Sequence, residues 1–177
     1  MRTKKLVFMA LLTAISLTVW VIEAQIPAPI PVPGVKLGLA SVVTLSAMLL
    51  LGRREALAVL LMRVFLASLF AGSFSSILFS LTGGLLSWLV MALTVRLFAD
   101  KLLWVVSIFG AIAHNAGQLL AAVLVTKTVS LLAYAPALLL SAILTGAFTG
   151  VIAAALHRAL KGHIRFDFGK DETDDRS

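Results

Sequence analysis

The stretch Gly110–Ala122, GAIAHNAGQLLAA, places an imidazole and two amides inside an apolar run that extends over Leu102–Val125. At about 1.5 Å per residue in an α-helix, that run is long enough to cross a bilayer. His114 and Gln118 are then one turn apart on one face, and Asn115 is three residues from Gln118. Such groups either link helices by hydrogen bonds or form a ligand or transport site, and their clustering favours the site.

The composition of the chain is that of an integral membrane protein. Of its 177 residues, 60% are hydrophobic and 13% are charged, and the mean hydropathy is +1.06. Soluble domains carry about 25% charged residues. The chain has no cysteine, and its three histidines lack metal-ligand spacing, so we expect no metal and no cofactor. The net charge of +7 comes without any nucleic-acid-binding motif, so we expect no nucleic acid as partner.

The apolar runs predict an all-α membrane protein with six transmembrane helices in one compact bundle. This membrane domain covers residues 1–160, and residues 161–177 form a polar tail that we expect to be disordered. The basic start and first apolar run resemble a signal peptide, but the length of the run and the later spans predict that it is retained. The predicted spans are Leu6–Ile22, Val35–Leu51, Ala56–Ala71, Phe74–Phe98, Leu102–Val125 and Leu131–Leu156.

The basic residues between these spans predict the orientation of the chain. Cytoplasmic loops of membrane proteins carry an excess of Lys and Arg. With six spans, the outer side would hold only Lys127, with Lys36 at its border. Both termini are therefore expected in the cytoplasm. The opposite side would hold the basic residues of the tail together with Arg2, Lys4, Lys5, Arg53, Arg54, Arg96 and Lys101.

Three charged residues are candidates for a binding site in the outer half of the bilayer. Glu23 and Lys36 bracket the proline-rich loop Ile26–Gly34, IPAPIPVPG, either as interfacial residues that reach water or as the rim of a pocket. Arg63 lies in the middle of the third span, where a guanidinium needs a partner. It either pairs with Glu23, caps backbone carbonyls or binds an anion. The candidate substrate-binding residues are therefore Glu23, Lys36, Arg63, His114, Asn115 and Gln118.

The first span carries small residues at four-residue spacing. Ala10 and Ala14 form an A-x-x-x-A pattern, and Thr18 follows one turn later. Small residues at this spacing let another helix approach closely. The pattern predicts either packing inside this protein or contact with a partner subunit.

Three features of the sequence carry a family resemblance. The run PGVKLGLA (Pro33–Ala40), Arg63 in the third span and the motif AHNxGQL (Ala113–Leu119) occur in that order. Together they resemble the Gx transporter family, whose members also carry the name heptaprenyl diphosphate synthase component I. The resemblance extends from about residue 6 to residue 160. That family is similar to the substrate-binding S components of energy-coupling factor (ECF) transporters.

The resemblance implies a function in uptake. An S component is a six-helix protein of the prokaryotic plasma membrane that captures a vitamin-like molecule from outside, and the family name extends this to an isoprenoid or quinone precursor. Its partners are a transmembrane coupling subunit, contacted by an A-x-x-x-A pattern that Ala10 and Ala14 match, and two ATPase subunits. S components are understood to topple in the membrane to release substrate inward. The chain itself is then not expected to be an enzyme.

The alternative is a membrane-embedded component of heptaprenyl diphosphate synthesis. Prenyl diphosphate synthases use D-D-x-x-D motifs to hold Mg²⁺, an ion that demands hard oxygen ligands. The membrane part of this chain has no aspartate before Asp100 and no acidic pair. A purely structural protein would explain the small-residue patterns but not polar groups on two spans at one depth. The residues therefore favour binding over catalysis or assembly.

Overall fold

The computed structural model describes residues 2–25, 38–71, 74–98 and 102–161. In this part of the chain there are six α-helices, and a short 3₁₀ helix, Val129–Tyr134, precedes the last of them. The α-helices are α1 (Arg2–Gln25), α2 (Ser41–Leu50), α3 (Arg53–Ala71), α4 (Phe74–Phe98), α5 (Leu103–Thr126) and α6 (Ala135–Lys161). The predicted all-helical architecture is confirmed for the described residues.

The short helix α2 is the centre of the bundle. It contacts each of the other five α-helices described, and seven of its ten residues are buried. Leu45 and Ala47 are fully enclosed, and they join Val59 of α3 and Val106 of α5 in the main hydrophobic core. A helix that is apolar on all sides is typical of such a central position.

Polar contacts give the directions of the first three helices. Near the start of α1, Lys5 forms an ion pair with Glu55 in the first turn of α3, with 2.5 Å between Nζ and Oε1. These two helices therefore start at the same end of the bundle. At the end of α1, Glu23 accepts a hydrogen bond from the backbone N–H of Gly38, just before α2. Helix α2 therefore runs back toward the starting end.

Close helix contacts give the directions of the remaining three. Gly117 of α5 approaches Thr82 of α4, so closely that an added Cβ would lie 2.8 Å from the Thr82 carbonyl oxygen. A Cβ on Gly150 of α6 would lie 2.5 Å from Cα of Trp104, which is in the first turn of α5. Each helix therefore runs antiparallel to the next, and α6 ends at the end of the bundle where α1 begins.

The prediction of six transmembrane helices is wrong in number. Four helices in the described residues are long and apolar enough to cross a membrane: Thr3–Gln25, Ile77–Phe98, Leu103–Thr126 and Val129–Leu160. Helix α2 has only ten residues, about 15 Å of helix. Helix α3 has nineteen residues, about 28 Å, but its Arg53, Arg54, Glu55 and Arg63 make it too polar. The four long apolar helices are those expected of a multi-pass membrane protein. The other helices of the bundle enclose α2 and the charged side of α3.

Two predicted helix starts also need correction. The predicted third span begins at Ala56, whereas α3 begins at Arg53, because Gly52 alone makes the turn with φ +112°. An acidic residue in the first turn, Glu55, favours a helix start there. The second helix begins at Ser41, not Val35, since Gly38 has φ +78°, a backbone conformation outside any right-handed helix.

Candidate functional site

The carboxylate of Glu23 is enclosed at the end of α1. Its side chain is 4% exposed, and Oε1 accepts a hydrogen bond of 2.5 Å from the N–H of Gly38. Of the two alternatives that the sequence left open for Glu23, this burial disagrees with an interfacial residue that reaches water. This carboxylate instead connects α1 to the segment that leads into the central helix.

The guanidinium of Arg63 is also buried, at 4% exposure, and lies against α4. A Cβ added to Gly84 would lie 3.6 Å from its Nη2 atom, so the guanidinium is within van der Waals distance of α4 at this glycine. Glu23 acts on Arg63 electrostatically. The interaction with Glu23 that the sequence left open is therefore present. The Nε atom of Arg63 is buried without a hydrogen-bond partner among the described residues.

The imidazole of His114 lies between two glycines. A Cβ on Gly38 would lie 3.0 Å from its Cδ2 atom, and one on Gly83 would lie 3.2 Å from its Cε1 atom. The ring forms a hydrogen bond with the backbone of Gly83 and interacts electrostatically with Arg63. Its Nδ1 atom is buried and has no hydrogen-bond partner among the described residues. The ring is therefore held between α4 and the segment that precedes α2, and Nδ1 has no partner among the described residues.

Gln118 lies one turn beyond His114 on the same face of α5. It is 2% exposed, and its Cγ would be 2.8 Å from a Cβ on Gly83. The prediction that His114 and Gln118 lie on the same face of one helix is therefore confirmed. Glu23, Arg63, His114 and Gln118, contributed by α1, α3 and α5, are called the buried polar cluster below.

Asn115 points to another part of the protein. Its Nδ2 atom donates a hydrogen bond of 3.0 Å to the carbonyl of Leu138 on α6. Its Oδ1 atom is buried without a partner among the described residues. The side chain thus links α5 to α6, which is the helix-linking role that the sequence left open, and it does not share the surroundings of His114.

The other predicted site residues divide into exposed and undescribed ones. Ala10 and Ala14 lie on the exposed side of α1, as does Thr18. These three side chains are therefore not packed inside the described part of the chain. Lys36 and the proline-rich loop lie outside the described residues.

Sequence reasoning missed the atoms that hold the cluster in place. The backbone N–H of Gly38 binds Glu23, and the side-chain-free surfaces of Gly83 and Gly84 receive His114, Gln118 and Arg63. The Gly83–Gly84 pair was visible in the sequence as a place of close approach. The helices that approach this pair could not be predicted from the sequence, because packing decides how each helix is rotated about its axis.

A comparison of the sequence with protein families gives a match over most of the chain. The profile of heptaprenyl diphosphate synthase component I matches residues 12–156. The chain belongs to this family. All four residues of the buried polar cluster lie within the region that matches heptaprenyl diphosphate synthase component I, as does Ala14, whereas Ala10 precedes it. No curated protein and no solved structure matches the chain in the corresponding comparisons.

The family match confirms the resemblance to heptaprenyl diphosphate synthase component I. Among the described residues there is no group of three or more His, Cys, Asp or Glu side chains placed to hold a metal ion.

Proposed function

We propose that the chain is the substrate-binding membrane subunit, or S component, of an ECF-type importer of the prokaryotic plasma membrane. Its substrate is a small vitamin-like molecule or an isoprenoid or quinone precursor, captured from outside. The observation that carries the proposal is the buried polar cluster, in which Nε of Arg63 and Nδ1 of His114 have no hydrogen-bond partner among the described residues. A buried polar atom without a partner is costly, and a ligand that completes its hydrogen bonds removes that cost.

The depth of the cluster supports capture from outside. Glu23 ends α1, and Gly38 precedes α2, so the cluster lies toward the end of the bundle opposite to both described termini. The excess of basic residues at the terminal end indicates that this end is cytoplasmic. Reporter fusions after Ser177 and within Ile26–Gly34 test this orientation. Activity of a cytoplasmic reporter within Ile26–Gly34 would contradict it.

The surface of α1 supports the proposed partners, a transmembrane coupling subunit and two ATPase subunits. Ala10, Ala14 and Thr18 leave a shallow exposed strip between apolar neighbours such as Leu11, which is 53% exposed. In lipid, helices associate where small residues let their backbones approach. ATP hydrolysis then belongs to the partner subunits, and this chain is not an enzyme.

A second candidate function is the membrane-embedded component of heptaprenyl diphosphate synthesis. The name of the family favours it. Diphosphate chemistry with Mg²⁺ needs several oxygen ligands, usually carboxylates. The outer half of this bundle offers one carboxylate among the described residues, Glu23, and the Gly38 N–H already binds it. We therefore place substrate binding first.

The binding site is tested with Arg63→Gln. Native mass spectrometry of the purified protein identifies the molecule that co-purifies, and titration with that molecule gives its affinity. We expect Arg63→Gln to weaken binding by more than about tenfold, since a charge-assisted hydrogen bond in a dry site is lost, while expression stays near normal. If Arg63→Gln misfolds and Gln118→Leu binds as the wild type does, the cluster only holds helices together.

The partner surface is tested with Ala10→Leu combined with Ala14→Leu. We expect co-purification with the coupling subunit and ATP-dependent uptake to be lost, because leucines keep the two helices apart. Substrate binding should persist, since the cluster lies at the other end of α1. Ala155→Leu on the exposed side of α6 is the matched control and should leave uptake unchanged. Loss of folding in the double variant, or normal uptake, would contradict the proposed surface.

A further inference from the structure

We propose that the buried polar cluster binds a neutral hydroxyl head group, that of an alcohol or a phenol on an apolar body, and excludes a diphosphate. The inference rests on the proposed substrate-binding role and narrows its substrate class. Three observations carry it: the charge of the cluster, the two unpaired polar atoms, and the apolar surroundings.

The charges in the cluster cancel. Of the described residues, Glu23 and Arg63 are the buried side chains with a formal charge, one negative and one positive. They interact electrostatically. His114 counts as neutral, because a second cation beside Arg63 would be repelled in a setting without water. The undescribed residues 26–37 contain one charged residue, Lys36, so the charge facing a ligand is at most +1.

A diphosphate does not match this charge. A single phosphate group carries about −1.5 to −2 at neutral pH, and a diphosphate carries more. A buried charge without a partner is strongly unfavourable. Arg63 is already matched by Glu23, so a diphosphate here would leave most of its charge uncompensated. A neutral head group leaves the balance of the cluster unchanged.

The unpaired polar atoms match a hydroxyl group. Nε of Arg63 is a donor without a partner among the described residues. His114 forms a hydrogen bond with the backbone of Gly83. Because the Gly83 N–H is already bonded within helix α4, the ring is the donor and the Gly83 carbonyl is the acceptor. In a neutral imidazole the remaining nitrogen, here Nδ1, is an acceptor. A hydroxyl group can accept from a donor such as Nε of Arg63 and donate to an acceptor such as Nδ1 of His114, whereas a fully ionised diphosphate has no proton to donate.

The surroundings of Arg63 match an apolar body. Leu60 precedes Arg63 by one turn of α3, is buried, and packs against Gly84, the glycine that Arg63 also approaches. Pockets for small molecules are mostly apolar with few polar groups that set orientation. The cluster therefore selects by head group, and the body of the ligand contributes apolar contact.

The test compares farnesol with farnesyl diphosphate, which share one hydrocarbon body and differ in head group. The full chain is placed in nanodiscs of uncharged phosphatidylcholine with both probes at equal concentration, and native mass spectrometry measures the occupancy of each. We expect farnesol to exceed farnesyl diphosphate by about tenfold or more, the scale set by one unfavourable buried charge. Equal or greater occupancy by the diphosphate overturns the proposal, and so does binding of neither probe.

Charge variants sharpen the test. Glu23→Gln keeps an acceptor for the Gly38 N–H but leaves the charge of Arg63 without a counter-charge. We therefore expect the occupancy ratio of farnesol to farnesyl diphosphate to fall by about tenfold. Glu55→Gln removes a carboxylate at the other end of the bundle and should leave the ratio unchanged. An unchanged ratio in Glu23→Gln overturns the proposal. If that variant does not fold, the double variant Glu23→Gln with Arg63→Gln restores neutrality and must still prefer farnesol.

These outcomes differ from a failure of the proposed importer function. A chain that prefers farnesyl diphosphate could still depend on Ala10 and Ala14 for uptake, and then only the head-group inference is lost. A chain that prefers farnesol but never associates with a coupling subunit retains the inference and loses the importer.

Discussion

Helices α4–α6 and helices α1–α3 are held together in different ways. In the first group, α5 makes extensive contact with both neighbours, and glycines bring backbones together. A Cβ on Gly146 would lie 2.6 Å from Cα of Ile108, and one on Gly117 would lie 2.9 Å from Cα of Gly83. We call α4–α6 the glycine-packed half. In lipid such close van der Waals contact drives helix association.

Helices α1–α3, which we call the polar-linked half, are joined by bonds of charged side chains. Lys5 pairs with Glu55 at one end, and Glu23 binds the Gly38 N–H at the other. The cluster lies where the two halves meet, with Glu23 and Arg63 on one side and His114 on the other. Close backbone contacts therefore join α4, α5 and α6, whereas the two buried charges, Glu23 and Arg63, lie in the less tightly packed half. Three predictions test this division.

The largest effect is expected in the glycine-packed half. Gly150→Leu places a side chain where even a Cβ would be 2.5 Å from Cα of Trp104, so α6 must separate from α5. We expect a loss of about 3 kcal/mol in the free energy of unfolding, or failure to fold. Thermal unfolding in detergent measures it. Ala155→Leu, on an exposed position of the same helix, should change stability by less than about 0.5 kcal/mol. Equal stability of the two variants would remove the distinction between the halves.

An intermediate effect is expected from Asn115→Leu. This variant removes the hydrogen bond to the Leu138 carbonyl within the glycine-packed half, and polar contacts of this kind contribute about 0.6–1.7 kcal/mol in membranes. We expect stability to fall by that amount while ligand affinity stays within about twofold, the change expected of a residue that does not touch the ligand. Gln118→Leu should instead weaken binding more than it weakens folding. If the two variants weaken binding equally, Asn115 reaches the ligand and the cluster extends to α6.

The smallest effect is expected at the end of the polar-linked half that bears Lys5 and Glu55. Partial burial raises the pKa of Glu55, but the hydrogen bond from Lys5 and the charges of Lys5 and Arg54 outweigh it, so the pKa lies below its ordinary value of 4.5. A lowered pKa in the folded state means that the stabilisation is complete above pH 4.5 and is lost as the pH falls through the lower folded pKa. At neutral pH, Glu55→Gln should cost about 0.2–1 kcal/mol, and less at high salt.

The pH dependence provides the check on this last prediction. Unfolding of the wild type and of Glu55→Gln, followed from neutral to acidic pH, should converge at the acidic end. Lys4→Gln, which changes an exposed neighbour of Lys5, is the matched control and should follow the wild type throughout. A difference that persists after Glu55 is protonated would show that the pair is not responsible.

Much of the candidate site was predictable from local pattern. The one-turn spacing of His114 and Gln118 placed them on one face, and the cost of a buried guanidinium required a partner for Arg63. Glu23 was one of the partners considered. Its bond to a backbone N–H was not predictable, because that contact depends on the left-handed conformation of Gly38. The number of spans was overestimated because the turn at Gly38 shortens the second helix and because the third helix, which begins at Arg53, includes four charged residues.

Local sequence patterns are sufficient to predict that the chain is helical and apolar, where each helix lies to within six residues, and which polar residues enter the membrane domain. These properties follow from backbone hydrogen bonding and hydrophobicity, which act over one or two turns. Only the tertiary structure decided that α2 is the central helix, that His114 faces Gly83 while Asn115 faces Leu138, and that Glu23 is buried with Arg63. The reason is that adjacent residues on a helix point about 100° apart, so the rotation set by glycine contacts determines which polar group meets which partner.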